Sequence, residues 1–531
     1  MVRRRLPVAA SGRRPPAPLL VVVAGICVLS MLPLAYLAIR ASGADERALE
    51  LMLRPRTLEL LVSSVVLAAG VGLGATLLGV PLAWLTTRTD LPGRRAWTVL
   101  SVAPLAVPSY VLAFALIAGL GPRGALGGFV ESLGVAGLPS IYGLPGALLV
   151  LTLATYPYVL LATRATLMRA DPALEEAARS LGDGFATAFR RVTLPLLAPA
   201  MGTGALLAAL YAISDFGAVS ILRFDSFARA IHVQYRSSFD RSGAAALALL
   251  LVAAAFALVW AEARVRRRAA LRVPHGARRA ARLVPLGHWR WPALAFCTAV
   301  VCLALILPAS TIGYWLVRGL DQGEPLRVLA APIRDSLVAG GAAALVAVGL
   351  ALPVAFLVVR HPGRLASIAD RVLYGAYAMP GIALALALVF FSLNVVPFLY
   401  QTLVLLVLAY ALRFLPQASG TTRSSLMLIG PRIPEAARSL GRSPLEVLRT
   451  ITLPLLRPGL LAGAALVFLS TIKELPLTLL VAPTGFSTLA TQVWGAANEG
   501  FFARAAAPAA VLMLISLASV TLLLRDEERP G

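Results

Sequence analysis

Long apolar runs, separated by short segments rich in arginine, glycine and proline, dominate the chain. A run of 18 or more apolar residues reads as a spanning helix, since about 20 residues at 1.5 Å rise cross roughly 30 Å of hydrocarbon. Twelve such runs stand near 19–40, 60–86, 98–120, 141–163, 199–222, 243–262, 291–316, 336–359, 372–393, 401–418, 459–482 and 505–524. Pro145, Pro157 and Pro416 interrupt two of them. A span tolerates such prolines where neighbouring helices or water satisfy the freed backbone groups. Arg3-Arg4-Arg5 before the first run resembles a signal peptide. The run is long for an h-region of about 7–15 residues, so it reads as a retained first helix. The predicted fold class is all-α, a polytopic membrane protein of about 12 transmembrane helices.

The pattern occurs twice. Glu176-Ala-Ala-Arg-Ser-Leu-Gly182 returns as Glu435-Ala-Ala-Arg-Ser-Leu-Gly441, and Thr193-Leu-Pro-Leu-Leu197 as Thr452-Leu-Pro-Leu-Leu456, both at an offset of 259. Pro157 and Pro416, Arg164 and Arg423, and Asp215 and Glu474 keep that offset. Upstream the offset is 272, as for Ser64 and Ser336, Arg88 and Arg360, and Pro108 and Pro380. The difference places an insertion near Gly121 to Tyr142. Equivalent points are six spans apart, an even number, so the two six-helix repeats are parallel; inverted repeats need an odd number. The expected organisation is a cytoplasmic tail 1–18, a first repeat 19–262, a basic linker 263–290, a second repeat 291–524 and a tail 525–531.

Composition fits a membrane protein: 59% hydrophobic, 14% charged, mean hydropathy +0.82. The net charge of +23 raises nucleic acid as a partner, but its placement points elsewhere. With both termini inside, the loops on one side carry +22 and those on the other +2. That is the positive-inside bias. The run Arg264 to Arg290 therefore reads as a linker beside anionic lipid, and no nucleic-acid partner is expected. Cys27, Cys297 and Cys302 lie in apolar runs, and His232, His275, His288 and His361 are scattered, so neither a disulfide framework nor a metal site is indicated.

Each repeat has one long inside loop, 163–198 and 418–458. Ser443-Pro444-Leu-Glu446 fits an N-cap, a first-turn proline and a capping-box glutamate. Leu445, Val447 and Leu448 give that short helix an apolar face; Phe185 and Phe189, at i and i+4, do the same in the first loop. Such faces either dock another protein or pack on their own bundle. The pattern Glu-Ala-Ala, three residues, Gly, nine residues, a β-branched residue, one residue, Leu-Pro occurs at Glu176, Ala177, Ala178, Gly182, Val192, Leu194 and Pro195. It recurs at Glu435, Ala436, Ala437, Gly441, Ile451, Leu453 and Pro454. This resembles the EAA loop of permeases in binding-protein-dependent ABC importers, with Val192 in place of the usual isoleucine, and the likeness covers roughly residues 56 to 525. It implies a fused type I importer permease whose two loops dock two copies of a cytoplasmic ATPase. The docking residues would be Glu176, Ala177, Ala178, Gly182, Phe185 and Phe189, then Glu435, Ala436, Ala437, Gly441, Leu445 and Leu448. It also implies an extracytoplasmic binding protein, a bacterial inner-membrane location and alternating access. Lys473 is the sole lysine and follows Ile472, so the chain has no P-loop. No cofactor is expected on this chain: ATP and Mg would be used by the partner, and the chain would be no enzyme.

Asp215 and Glu474, with Lys473, fall inside spans about 24 Å beyond the loops. Intramembrane carboxylates are costly, and their oxygens suit hard cations such as iron(III). The plainer account is that Glu474 pairs with Lys473 or ends its helix at Pro476. The stretches Ser214–Leu222, Phe227–Asp240, Lys473–Leu479 and Phe486–Thr491 resemble the fused iron(III) permeases, and thiamine permeases less well. Sulfate, polyamine and phosphonate permeases share the EAA loop and layout. The stretches either line the path or contact the binding protein. An ion-coupled secondary transporter is the rival class, disfavoured by the parallel repeat and the sparse intramembrane charge.

Overall fold

The computed structural model describes residues 15–42, 52–121, 140–171, 173–237, 241–270 and 283–527, with Glu50 and Gly124 besides. Most of the outer insertion, much of the basic linker and the tail ends lie outside these residues. The first half holds α1 (Ala17–Ser42), α2 (Pro55–Arg88), α3 (Arg94–Val102), α4 (Ser109–Leu120), α5 (Leu144–Arg169), α6 (Ala173–Ser180), α7 (Phe185–Ala188), α8 (Leu194–Ser214), α9 (Gly217–Ile221), α10 (Phe227–Ser237) and α11 (Arg241–Ala270). The second holds α12 (Arg290–Val301), α13 (Leu307–Asp321), α14 (Ala330–Arg360), α15 (Arg364–Tyr377), α16 (Gly381–Val395), α17 (Leu403–Ile429), α18 (Arg432–Ser439), α19 (Pro444–Val447), α20 (Leu453–Ile472), α21 (Pro476–Val481), α22 (Leu489–Glu499) and α23 (Phe502–Glu527). Among the described residues no strand forms beyond one isolated bridge, Thr89 with Val284.

Nine helices among the described residues are long and apolar enough to cross a membrane, or eleven if each of two bent pairs is one span. The run at 505–524 falls in α23, apolar over Phe502–Ala518. The runs at 98–120 and 372–393 are not straight spans: the chain turns by 98° into α4 and by 100° into α16. Both bends fall at a proline, Pro108 and Pro380, whose own backbone is extended. Proline lacks an N–H and drives the preceding residue out of the helical region.

A different proline effect recurs where a Leu-Pro pair continues a helix. Phe189–Thr193 and Leu448–Thr452 are π turns immediately before Leu194-Pro195 and Leu453-Pro454. A third, Cys302–Ile306, precedes Leu307-Pro308. Widening the turn accommodates the ring that would strike the carbonyl four residues back. The loop helices therefore run without a break into the spans, over Ala186–Ser214 and Pro444–Ile472.

The described residues divide into two units that cut across the expected repeat boundaries. One takes those of Met1–Gly43, Val328–Thr491 and Leu522–Gly531; the other those of Ala44–Arg327 and Gln492–Thr521. In the first unit α14, α17 and α20 pack on one another, and α1 lies against α14, α15 and α16. In the second α2, α5 and α8 form the matching trio, and α13 lies against α4. Each repeat's opening helix thus belongs to the unit built from the other repeat. In each trio a serine on the first helix accepts the opening amide of a short helix: Ser64 Oγ takes Phe227 N–H at 2.8 Å, and Ser336 Oγ takes Leu489 N–H at 2.9 Å.

Close approach in the trios depends on small residues, because lipid offers no hydrophobic drive to associate. A Cβ on Gly79 would stand 2.8 Å from the Tyr156 carbonyl oxygen and 2.9 Å from the Leu160 nitrogen. Overpacking of this kind costs roughly 1–3 kcal/mol. Gly79→Val should lower the thermal unfolding midpoint of the detergent-solubilised chain by several degrees. Gly349→Ala, whose Cβ meets no atom within 4 Å, should not lower it.

Candidate coupling loops and buried carboxylates

Each loop is a short helix, a glycine turn and a second helix that becomes a span. The glycines have φ +98° at Gly182 and +85° at Gly441, in the region where a side chain is strained. Both turns close in the same way. Asp183 N–H donates to the Ala178 carbonyl at 3.2 Å, and Arg442 N–H to the Ala437 carbonyl at 3.3 Å. These five-residue reach-backs take up carbonyls left free at the helix ends. In the second loop Ser443 Oγ accepts Glu446 N–H at 3.3 Å, the expected cap.

The loops are tied down from the span ends. Arg88 closes α2 and donates to the Leu167 and Ala170 carbonyls at 3.0 and 3.3 Å. Arg360, its counterpart, donates to the Gly430 carbonyl at 2.8 Å. Arginine suits this place, since its planar fork meets several acceptors at once. Within the first loop Thr193 donates to Glu175 at 3.1 Å, so Glu175 is engaged while Glu176 stays exposed.

The apolar residues divide. Ala188 and Val447, at matching positions, are buried. Phe189 packs edge-on against Trp84 of α2 with ring centroids 6.1 Å apart, and Leu448 is half-buried. These two belong largely to their own bundle. The Phe185 side chain lies outside the described residues. Glu176, Ala177, Glu435 and Ala436 are exposed, Ala178 is half-buried and Ala437 buried. Leu445 is 55% exposed, and the two leucines before the glycines are more exposed still, Leu181 at 89% and Leu440 at 84%. Those two were missed in the sequence, although they belong to the repeated Glu-Ala-Ala-Arg-Ser-Leu-Gly heptad.

Asp215 and Glu474 stand at matching helix breaks with different partners, and Glu474 Oε1 is buried with no hydrogen-bond partner among the described residues. Asp215 follows the end of α8; it accepts Ser109 Oγ at 2.5 Å and the Ala218 and Val219 amides at 2.9 and 3.4 Å. It thereby caps the turn that starts α9. Glu474 follows α20 and forms an ion pair with Arg413 of α17, Nε to Oε2 3.5 Å. Arg413 also donates to the Met379 carbonyl at 2.9 Å, beside the Pro380 bend. Arg413, whose charge is part of the +22 on the inside, stands within α17 with its side chain 84% buried, since 16% of it is exposed. The alternatives follow from the repeat. Ser109 matches Gly381, and Arg413 matches Ala154. Where the second half lacks the hydroxyl it supplies a guanidinium, and a Cβ on Gly381 would meet the Glu474 carboxylate at 2.8 Å. Lys473 ends α20 and is half-buried.

Residues 75–271 and 347–526 match the family described as binding-protein-dependent transport system inner membrane component. The chain belongs to this family. The two matched segments each carry one loop, so the permease unit is present twice in one polypeptide, as a fused pair. The chain is 34% identical over 518 residues to the Fe(3+)-transport system permease protein FbpB 2 of Haemophilus influenzae, covering 96% of this chain and 98% of that one. It is 26% identical over 221 residues to the molybdate/tungstate permease WtpB of Thermococcus kodakarensis, 41% of this chain and 83% of that one. Over 144 residues it is 35% identical to the sulfate permease CysW of Escherichia coli, 27% of this chain and 48% of that one. The permease is a multi-pass membrane component of a transport system, and its relatives carry solutes rather than catalyse reactions.

Removing one partner of a buried ion pair costs roughly 3–5 kcal/mol, because the other charge is left uncompensated. Glu474→Ala should therefore lower the unfolding midpoint of this permease more than the double variant Glu474→Ala/Arg413→Ala. Additive losses in that thermal cycle would show that the two side chains do not interact.

Proposed function

We propose that the chain is the translocation subunit of an ATP-driven importer for iron(III), delivered by an extracytoplasmic binding protein. The likeness to an Fe(3+) permease over nearly the full length of both chains carries the substrate; the half-length relatives named for molybdate and sulfate support an oxyanion as the second reading. In this account both loops and both termini face the cytoplasm of a bacterial cell, as the arginine bias suggests. Each loop takes one copy of an ABC ATPase, which binds the ATP and Mg. Leu181, Leu440 and Leu445 offer the apolar contact, and Glu176 and Glu435 the charged one.

The transmission follows from the local structure. A push on α7 or α19 moves a helix that continues through the π turn to the residue before Asp215, or to the second residue before Glu474. Closure of the ATPase pair would then rock the spans as rigid bodies, exposing the path to each side in turn. Asp215 and Glu474 act here as joints that hold broken helices. As path ligands they would need to release Ser109 and Arg413.

The glycine turns supply the test. Gly182→Val and Gly441→Val force a β-branched side chain into left-handed backbone, and should each abolish or strongly reduce both ATPase co-purification and uptake of radiolabelled iron(III). Normal co-purification and uptake in both variants would remove the loops from the docking role. Uptake of molybdate in place of iron by the wild type would establish the second reading instead.

A further inference from the structure

The second unit holds a cavity for which the proposed function names no ligand. It has a volume of about 450 Å³ and lies beside α9, α10 and the Trp494–Asn498 stretch of α22. Its position is beyond the end of α8 remote from the coupling loop. Arg223, Arg229, His232 and Arg236 line it together with Trp494 and Asn498, and among the described residues no carboxylate does. Arg229 is oriented by Asp225 at 2.5 Å, which also takes Arg56 at 2.6 Å.

Two further observations separate this cavity from an ordinary basic surface. Arg223 has φ 55°, one of two non-glycine residues in left-handed backbone among those described. It stands just past α9, where Phe224 N–H reaches back to the Val219 carbonyl at 2.9 Å. Glycine or asparagine is the usual residue at such a turn, so an arginine there maintains strain that the fold does not require. Its guanidinium lies over the Tyr142 ring at 5.4 Å. Second, His232 is 9% exposed and its Nδ1 is buried with no hydrogen-bond partner among the described residues. The ring lies 4.8 Å from Phe216 and 6.1 Å from Trp494. Burial, with help from Arg236, pushes the imidazole down to about 4, so at neutral pH it is an uncharged hydrogen-bonding group.

The repeat shows that this chemistry is not a shared need of the fold. Counting from the capped residues Phe227 and Leu489, Arg229 matches Thr491, His232 matches Trp494 and Arg236 matches Asn498. Counting from Asp215 and Glu474, Arg223 matches Ala482. The cations belong to the first repeat alone. Guanidinium forks recognise carboxylate and phosphate oxygens in pairs, and a lined cleft concentrates their field.

We infer that this cavity is a binding site for a small multivalent anion bearing carboxylate or phosphate groups. The inference does not depend on which solute the importer carries. Citrate is a suitable probe, offered alone and as its iron(III) complex to the full-length permease in lipid nanodiscs. Saturable, salt-sensitive binding is expected, weakened tenfold or more in Arg223→Gly and several-fold in Arg236→Gln. Glycine relieves the turn, so Arg223→Gly should unfold at no lower temperature than the wild type, which separates lost charge from lost fold. Binding in both arms assigns a free-anion site; binding of the iron(III) complex alone assigns an anion that arrives with the metal. Absence of saturable binding in both arms, or equal binding by Arg223→Gly, would overturn the site.

Discussion

Inside a membrane every break in a helix frees backbone groups that no water can take up, and this architecture depends on how those groups are satisfied. In each unit two breaks are held at one place. Ser109, the first residue after the Pro108 bend, donates to Asp215, the residue that ends α8 and caps α9. In the other unit Arg413 joins the carbonyl before Pro380 to the carboxylate of Glu474. A bent hairpin and a loop-borne span are thereby stapled at the far end of that span. The carboxylates are costly in isolation; with these partners they serve as structural joints.

The opposite end of the same span is the repeated Glu-Ala-Ala loop. The Leu-Pro of the repeated motif has a local role there. It converts one turn to a π turn, so the short loop helix and the span remain one continuous element. The glycine supplies the only left-handed position within each repeated heptad. Loop, π turn, span and staple thus form one continuous element in each half, the lever of the proposed function. Sequence, local geometry and the family's transport role meet in that element.

Much of this was legible in the chain. Apolar runs located the spans, and the fixed offsets showed the parallel repeat. The resemblance to the EAA loop singled out Gly182 and Gly441. The bends were not legible, because proline alone does not decide between kink and break. Pro81 and Pro353 stay inside helices, whereas Pro108 and Pro380 end them. At the breaks the chain meets side-chain partners distant in sequence: Arg413 takes the Met379 carbonyl beside Pro380, and Ser109 after Pro108 bonds to Asp215. Arg413 was obscured for the same reason: an arginine near a run's edge reads as a loop charge until its buried partner is known. The exposure of Leu181 and Leu440 also needed the structure, since a leucine beside a turn glycine is as often a core residue.

The central claim is that each loop acts on the membrane through one rigid helix. Pulsed electron–electron resonance between labels on Ala186→Cys and Leu207→Cys tests it directly. The pair brackets the π turn and Pro195 with Cys27, Cys297 and Cys302 replaced, and is examined in the assembled importer with and without nucleotide. The labelled sites stand 21 positions apart, about 32 Å of helix. The account predicts one narrow distance distribution, unchanged by ATP. A shifted or split distribution on nucleotide binding would show that the π turn is a hinge, and would contradict the rigid lever.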